Sequence, residues 1–164
     1  MTLLEEYAAG KALWVALDPL PQEGLPPGAH CTIAYLGKDK SGNRDVQEKT
    51  VVHAALSCQT FADYNGAIVA TVGGEARFRA PEQQAHVLLL QNPDIRTMRN
   101  WLLQSLYAAN IVVQQDFDFT PHLTLQYLEP GDTVTVPYVA EETITFITLT
   151  VNCGDASVRF DLRG

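Results

Sequence analysis

His30-Cys31-Thr32-Ile33-Ala34-Tyr35-Leu36-Gly37 is the stretch from which the fold is read. It is short and mostly apolar. It follows Pro26-Pro27-Gly28 and stops at a glycine, so it reads as a strand. Side chains alternate across a strand. His30, Thr32 and Ala34 therefore share one face, and Cys31, Ile33 and Tyr35 the other. A second stretch repeats this plan. After Phe119-Thr120-Pro121, the segment His122 to Leu128 sets His122, Thr124 and Gln126 on one face and Leu123, Leu125 and Tyr127 on the other. In both strands the apolar set is expected under a helix. The His/Thr set then faces a cleft.

Working outward, Ala12 to Leu17 reads as a strand ended by Asp18-Pro19, followed by a Pro/Gly-rich connection. Ser41-Gly42-Asn43 marks a loop. Asp45 to Gln59 reads as a helix with acids in its first turn. Ala67 to Val72 reads as a strand, with a turn or bulge at Gly73-Gly74 and extended chain on to Arg79. His86 to Gln91 reads as a central strand. Asn92-Pro93-Asp94 then caps a helix running to about Ala109, with Asn110 as its stop. Thr133 to Tyr138, Thr143 to Val151 and Ser157 to Leu162 complete the strands, the last two joined by a turn at Asn152 to Asp155. The expected fold is α+β: one bilobal domain over residues 1–164, with two mostly antiparallel sheets, outer helices, a central cleft and an internal pseudo-two-fold.

Bulk properties narrow the function. The 164 residues and 18.0 kDa suit one domain, and 46% hydrophobic residues suffice for a core. The net charge of −8 lacks the basic surplus that a long nucleic acid requires, so no long nucleic acid is expected as partner. A small phosphorylated ligand held by a few donors is compatible with it. No apolar run is long enough to span a membrane. Met1 to Gly10 has no basic, apolar leader pattern. The expectation is a soluble, cytoplasmic protein without a membrane partner. Cys31, Cys58 and Cys153 are an odd number without paired spacing, which suggests neither a disulfide framework nor a zinc site. Cys31 reads as a small buried apolar residue. No metal or cofactor is expected.

Two imidazoles opposed across a cleft are able to cleave a phosphodiester. One, neutral, takes the proton of the attacking oxygen; the other, protonated, supplies the leaving oxygen. Thr32 and Thr124 each donate a hydroxyl hydrogen bond to a phosphate oxygen as charge builds. The sequence does not fix which histidine is which; the assignment taken forward is His122 as base and His30 as acid.

The segments His30 to Gly37 and Phe119 to Leu125 resemble the two signature strands of the 2H phosphoesterases, which include LigT-like 2′-5′ RNA ligases and cyclic phosphodiesterases. Ala12 to Leu17, Ile68 to Phe78, His86 to Gln91 and Thr148 to Leu162 are similar to that family's remaining strands. The resemblance implies catalytic His30 and His122 with phosphate-binding Thr32 and Thr124. It implies a hydrolase of small cyclic nucleotides or cyclic oligonucleotide signals. Compact acidic relatives occur in phages, where some destroy host antiviral signals; a chain of that kind would act in the host cytoplasm. The alternatives are an RNA-end 2′,3′-cyclic phosphodiesterase or 2′-5′ ligase-like enzyme, and a silent nucleotide-binding module.

Further contacts follow from the pattern. Gln126 shares the Thr124 face. Trp14, on the face of Ala12 and Ala16, either lines the cleft and stacks a base or packs in the core. Phe78, between Arg77 and Arg79, is placed to stack beside cations. Lys38 is placed to reach a phosphate. Tyr35 and Tyr127 are expected in the core, and His53 and His86 are expected to be structural or solvent-facing.

Overall fold

A computed structural model describes residues 1–79, 83–113, 119–133 and 143–163. The element order is α1 (Leu3–Ala8), β1 (Leu13–Pro19), β2 (Cys31–Gly37), α2 (Arg44–Tyr64), β3 (Ile68–Phe78), β4 (Gln84–Gln91), α3 (Pro93–Ala108), β5 (His122–Leu128), β6 (Thr143–Cys153) and β7 (Ala156–Asp161). Most of the strand expected at Thr133 to Tyr138 lies outside the described residues.

Local chemistry sets the helix ends. Thr2 caps α1 by accepting from the Glu5 amide and donates to the Glu5 carboxylate, a reciprocal box over Thr2-Leu3-Leu4-Glu5. The sequence reading passed over this helix although the box was visible in it. Asn43 caps α2 by accepting from the Asp45 and Val46 amides, and Asn92 caps α3 by accepting from Asp94. Asn110 ends α3 in the left-handed region at φ 64°, and the Ile111 amide reaches back to the Leu106 carbonyl. α2 runs five residues beyond the expected Gln59, to Tyr64.

Among the described residues, the two expected sheets are hydrogen-bonded into one antiparallel sheet of seven strands. Its order is β2-β1-β6-β3-β4-β5, with β7 also on β6. β6 is the shared member. Phe146 to Cys153 pair with β1; on its other side Thr143 to Phe146 pair with β3, and Thr148 to Cys153 pair with β7. The sheet still forms two lobes, β2-β1-β6-β7 and β3-β4-β5. The edge strands β2 and β5 come back into contact with each other. Leu13, Val15, Leu17, Ile33, Leu88, Leu123 and Leu149 join the core with Ala54 of α2 and Ile95, Met98 and Leu106 of α3. The opposite face of each lobe carries the polar residues. Gly73 is the extra residue between Val72 and Gly74 in the β3–β4 ladder, so the Gly73-Gly74 pair is a bulge rather than a turn.

Candidate active site

Both signature strands carry a bulge at the same place. In β2, Thr32 pairs with Ala16 and Ala34 with Val15, which leaves Ile33 as the extra residue. In β5, Thr124 pairs with Val87 and Gln126 with His86, which leaves Leu125 as the extra residue. Each bulge sits three positions after its histidine. A bulge breaks simple alternation, because two successive residues oppose one partner. Ile33 and Ala34 are both buried, and the parity beyond them is reversed. Tyr35 and Tyr127 are therefore turned out of the core, 58% and 62% exposed. This corrects the expectation that both are core residues.

Before each bulge, alternation holds. Cys31 and Leu123 are buried, while His30, Thr32, His122 and Thr124 are half-buried. Each imidazole is anchored alike. His30 Nδ1 lies 2.9 Å from the Gly28 carbonyl oxygen, and His122 Nδ1 lies 2.7 Å from that of Thr120. A carbonyl only accepts, so Nδ1 carries the hydrogen and donates. Nε2 is left as the working nitrogen in both rings. The Trp14 ring tilts over His30 with centroids 4.8 Å apart, and Phe78 meets His122 edge-on at 4.6 Å. Trp14 thus lies on the cleft side, and Phe78 packs on an imidazole.

A cavity of about 260 Å³ between the strands is lined by Pro26 to His30 and by Thr124 to Tyr127. It brings His30, Thr124 and Gln126 together. His122 and Thr32 do not line it. The two strands meet here, with the His122 backbone near the Cys31 thiol, next to His30. Burial pushes that thiol up to about 12, and the His122 backbone only partly offsets this. Cys31 is therefore a buried, un-ionised contact between the strands.

The remaining candidates divide. Arg77 Nη1 and Nη2 donate to the Asp132 and Glu129 carbonyls at 2.6 and 3.2 Å, and its Nε donates to Gln84. It fastens the turn after β5 instead of standing solvated beside Phe78. Arg79 is exposed just past the end of β3. Lys38 follows the far end of β2, roughly 20 Å of strand from His30, and lines a different cavity. His86 is buried with Nε2 3.0 Å from Glu75 Oε1, and His53 is half-buried on α2.

Three residues of the site escaped the sequence reading. Asp18 lies beyond Trp14 and Ala16 on the same face of β1, a spacing that marks it for the cleft. Its carboxyl is pushed up chiefly by burial, while attraction to the charged forms of His30 and Arg159 pulls it down. Arg159 of β7 donates to Thr148 Oγ1 at 3.2 Å and faces Asp161 at 3.7 Å. Arg99, buried on α3, donates to the carbonyl of the bulged Ile33 at 2.7 Å. Its guanidinium also lies 4.6 Å from the Phe119 ring centroid, on the approach to the second motif. One side chain thus braces both signature strands. Burial, and then Arg96, pull its guanidinium below the usual value.

No protein-family model matches the chain, and no curated protein sequence matches it. Solved structures do. TT0787 of Thermus thermophilus is 15% identical, with 93% of this chain and 98% of that one aligned at a TM-score of 0.62. LigT of E. coli, crystallised with 3′-AMP, is 18% identical, covering 94% and 96% at 0.57. The fold is that of the LigT-like phosphoesterases. Usb1 of Kluyveromyces marxianus has the same LigT-like frame at 9% identity, covering 93% and 97% with a TM-score of 0.58.

Proposed function

We propose that the chain is a phosphodiesterase acting on small nucleotides, with His30 and His122 as its acid–base pair and Thr32 and Thr124 as phosphate donors. The observation that carries this is the matched anchoring of the two rings. Each Nδ1 is committed to a carbonyl two residues upstream, so each Nε2 is presented with a defined hydrogen state. In hydrolysis, His122 Nε2 takes a proton from water as its oxygen bonds to phosphorus. The bond from phosphorus to the leaving oxygen breaks, and His30 Nε2 gives that oxygen its proton.

The substrate we infer is a cyclic nucleotide or cyclic oligonucleotide signal, in keeping with the net charge of −8 and the small cavity beside His30. Phage counter-defence is the setting in which compact acidic proteins of this fold would use it. A second reading, an RNA-end 2′,3′-cyclic phosphodiesterase, is favoured by the likeness to LigT, which binds 3′-AMP, and to Usb1. Product analysis over 2′,3′-cyclic, 3′,5′-cyclic and cyclic oligonucleotide substrates separates the two. A bell-shaped pH–rate profile is expected on whichever is cleaved. No turnover across the whole panel would leave a binding module and refute the hydrolase reading.

A further inference from the structure

A second cavity, of about 800 Å³, lies at the other end of β2 from His30. It is enclosed by the chain from Tyr35 to Ser41, the first turns of α2, Tyr7 of α1 and Asn110 to Val113 beyond α3. The chain holds only four lysines, and Lys38, Lys40 and Lys49 all line this cavity. Among the described residues none of the three is ion-paired. A protein of net charge −8 thus gathers most of its ammonium groups around one concavity.

Among the described residues of the lining the one carboxylate, Asp39, offsets one of these three charges and is held by neutral donors. Asp39 accepts from the Ser41 hydroxyl at 2.6 Å, the Ser41 and Gly42 amides at 3.0 and 3.1 Å, and Gln47 Nε2 at 2.7 Å. Those bonds, led by the Ser41 hydroxyl, hold its carboxyl down at about 2. They also fix the loop so that Lys38 and Lys40 flank a tethered residue. The α2 amides nearest the cavity are already engaged by Asn43, so the helix end adds no free donors from Asp45 or Val46. Beside the lysines stand an exposed ring, Tyr35, and an exposed aliphatic side chain, Val112 at 79%. Cations beside an exposed aromatic face are what a base with attached phosphates fits. The volume lies in the range of small-molecule sites.

We propose that this cavity is a second nucleotide site, separate from the histidine cleft, in which Lys38, Lys40 and Lys49 hold the phosphates of a nucleoside polyphosphate and Tyr35 stacks its base. The proposal does not depend on the hydrolase reading. ADP is the probe, titrated by calorimetry into the full chain carrying His30→Ala and His122→Ala, so that cleft chemistry is silent. One-to-one binding that weakens with added salt is expected. Adding Lys38→Gln, Lys40→Gln and Lys49→Gln should weaken it by about tenfold or more. Adding Tyr35→Ala instead should weaken ADP and leave inorganic pyrophosphate unchanged. All four residues are exposed, and a thermal melt checks that each variant is folded. Absence of ADP binding, or affinity unchanged by the lysine substitutions, overturns the site. Equal losses for ADP and pyrophosphate on Tyr35→Ala overturn the placement of the base. Failure of the hydrolysis assays would leave all of these outcomes readable.

Discussion

The two signature strands are near copies in backbone and unlike in surroundings. β2 and β5 share the Nδ1 anchor, the bulge three residues past the histidine and the outward tyrosine five residues past it. They differ in what meets the ring. His30 lies under a tilted tryptophan, with the Asp18 carboxyl near enough to interact. His122 meets the edge of a phenylalanine. They differ again at the tyrosines: Tyr127 lines the cavity beside His30, and Tyr35 lines the lysine cavity. Repetition supplies two alike histidine positions, and the neighbours make them inequivalent.

The largest effect tests that inequivalence. His30→Ala and His122→Ala should each lower kcat by about a thousandfold, within the usual span for an acid–base group. A substrate whose leaving oxygen needs no proton, such as a nitrophenyl ester, should restore most of the rate to His30→Ala and little to His122→Ala. Equal rescue would show that the strands are interchangeable. Next comes the brace between them. Arg99→Met removes a charge-assisted bond to the Ile33 carbonyl and should cost about 2–3 kcal/mol in urea unfolding, with a fall in kcat as both motifs loosen. A stable variant with normal turnover would mean that the strands are held independently. Smaller still, Tyr127→Ala should raise KM severalfold for the cleaved nucleotide, and Tyr35→Ala should leave it unchanged; matched effects would erase the distinction between the cavities. The smallest is a pH effect. The Asp18 carboxyl is raised in the folded state, mainly by burial, so its contribution to stability is present in acid and is lost as pH rises through its folded value. Asp18→Asn should therefore gain in melting temperature over the parent chain between acid and neutral pH. A constant difference would contradict it.

What was legible in the sequence followed periodicity. Alternation set His30, Thr32, His122 and Thr124 on the half-buried face, opposite Cys31 and Leu123, because all four precede the bulges. It failed at Tyr35 and Tyr127 because an extra residue leaves no mark in a run of apolar side chains; Ile33 and Leu125 are ordinary strand residues. Gly73-Gly74 was legible as an irregularity, because adjacent glycines in a strand have few other uses. Asp18 was within reach of the same alternation that found Trp14. Arg99 was not, since its partners Ile33 and Phe119 are distant in sequence and meet only through the fold. The joining of two sheets was likewise invisible, because a strand's pattern does not reveal that its two halves pair with different neighbours.

That shared strand has a consequence for the order in which the molecule comes into being. By Leu128 a chain growing from its N-terminus already contains both histidines, both threonines, both bulges and the bracing arginine. Yet among the described residues β6 is the strand that pairs with both β1 and β3, and β6 begins at Thr143. A chain stopped before that point holds every residue of the proposed site but lacks the strand that joins β1 to β3, leaving Arg99 and the β2–β5 contact to relate its halves. Addition of β6, rather than synthesis of the motifs, is the step that unites the two lobes in one sheet.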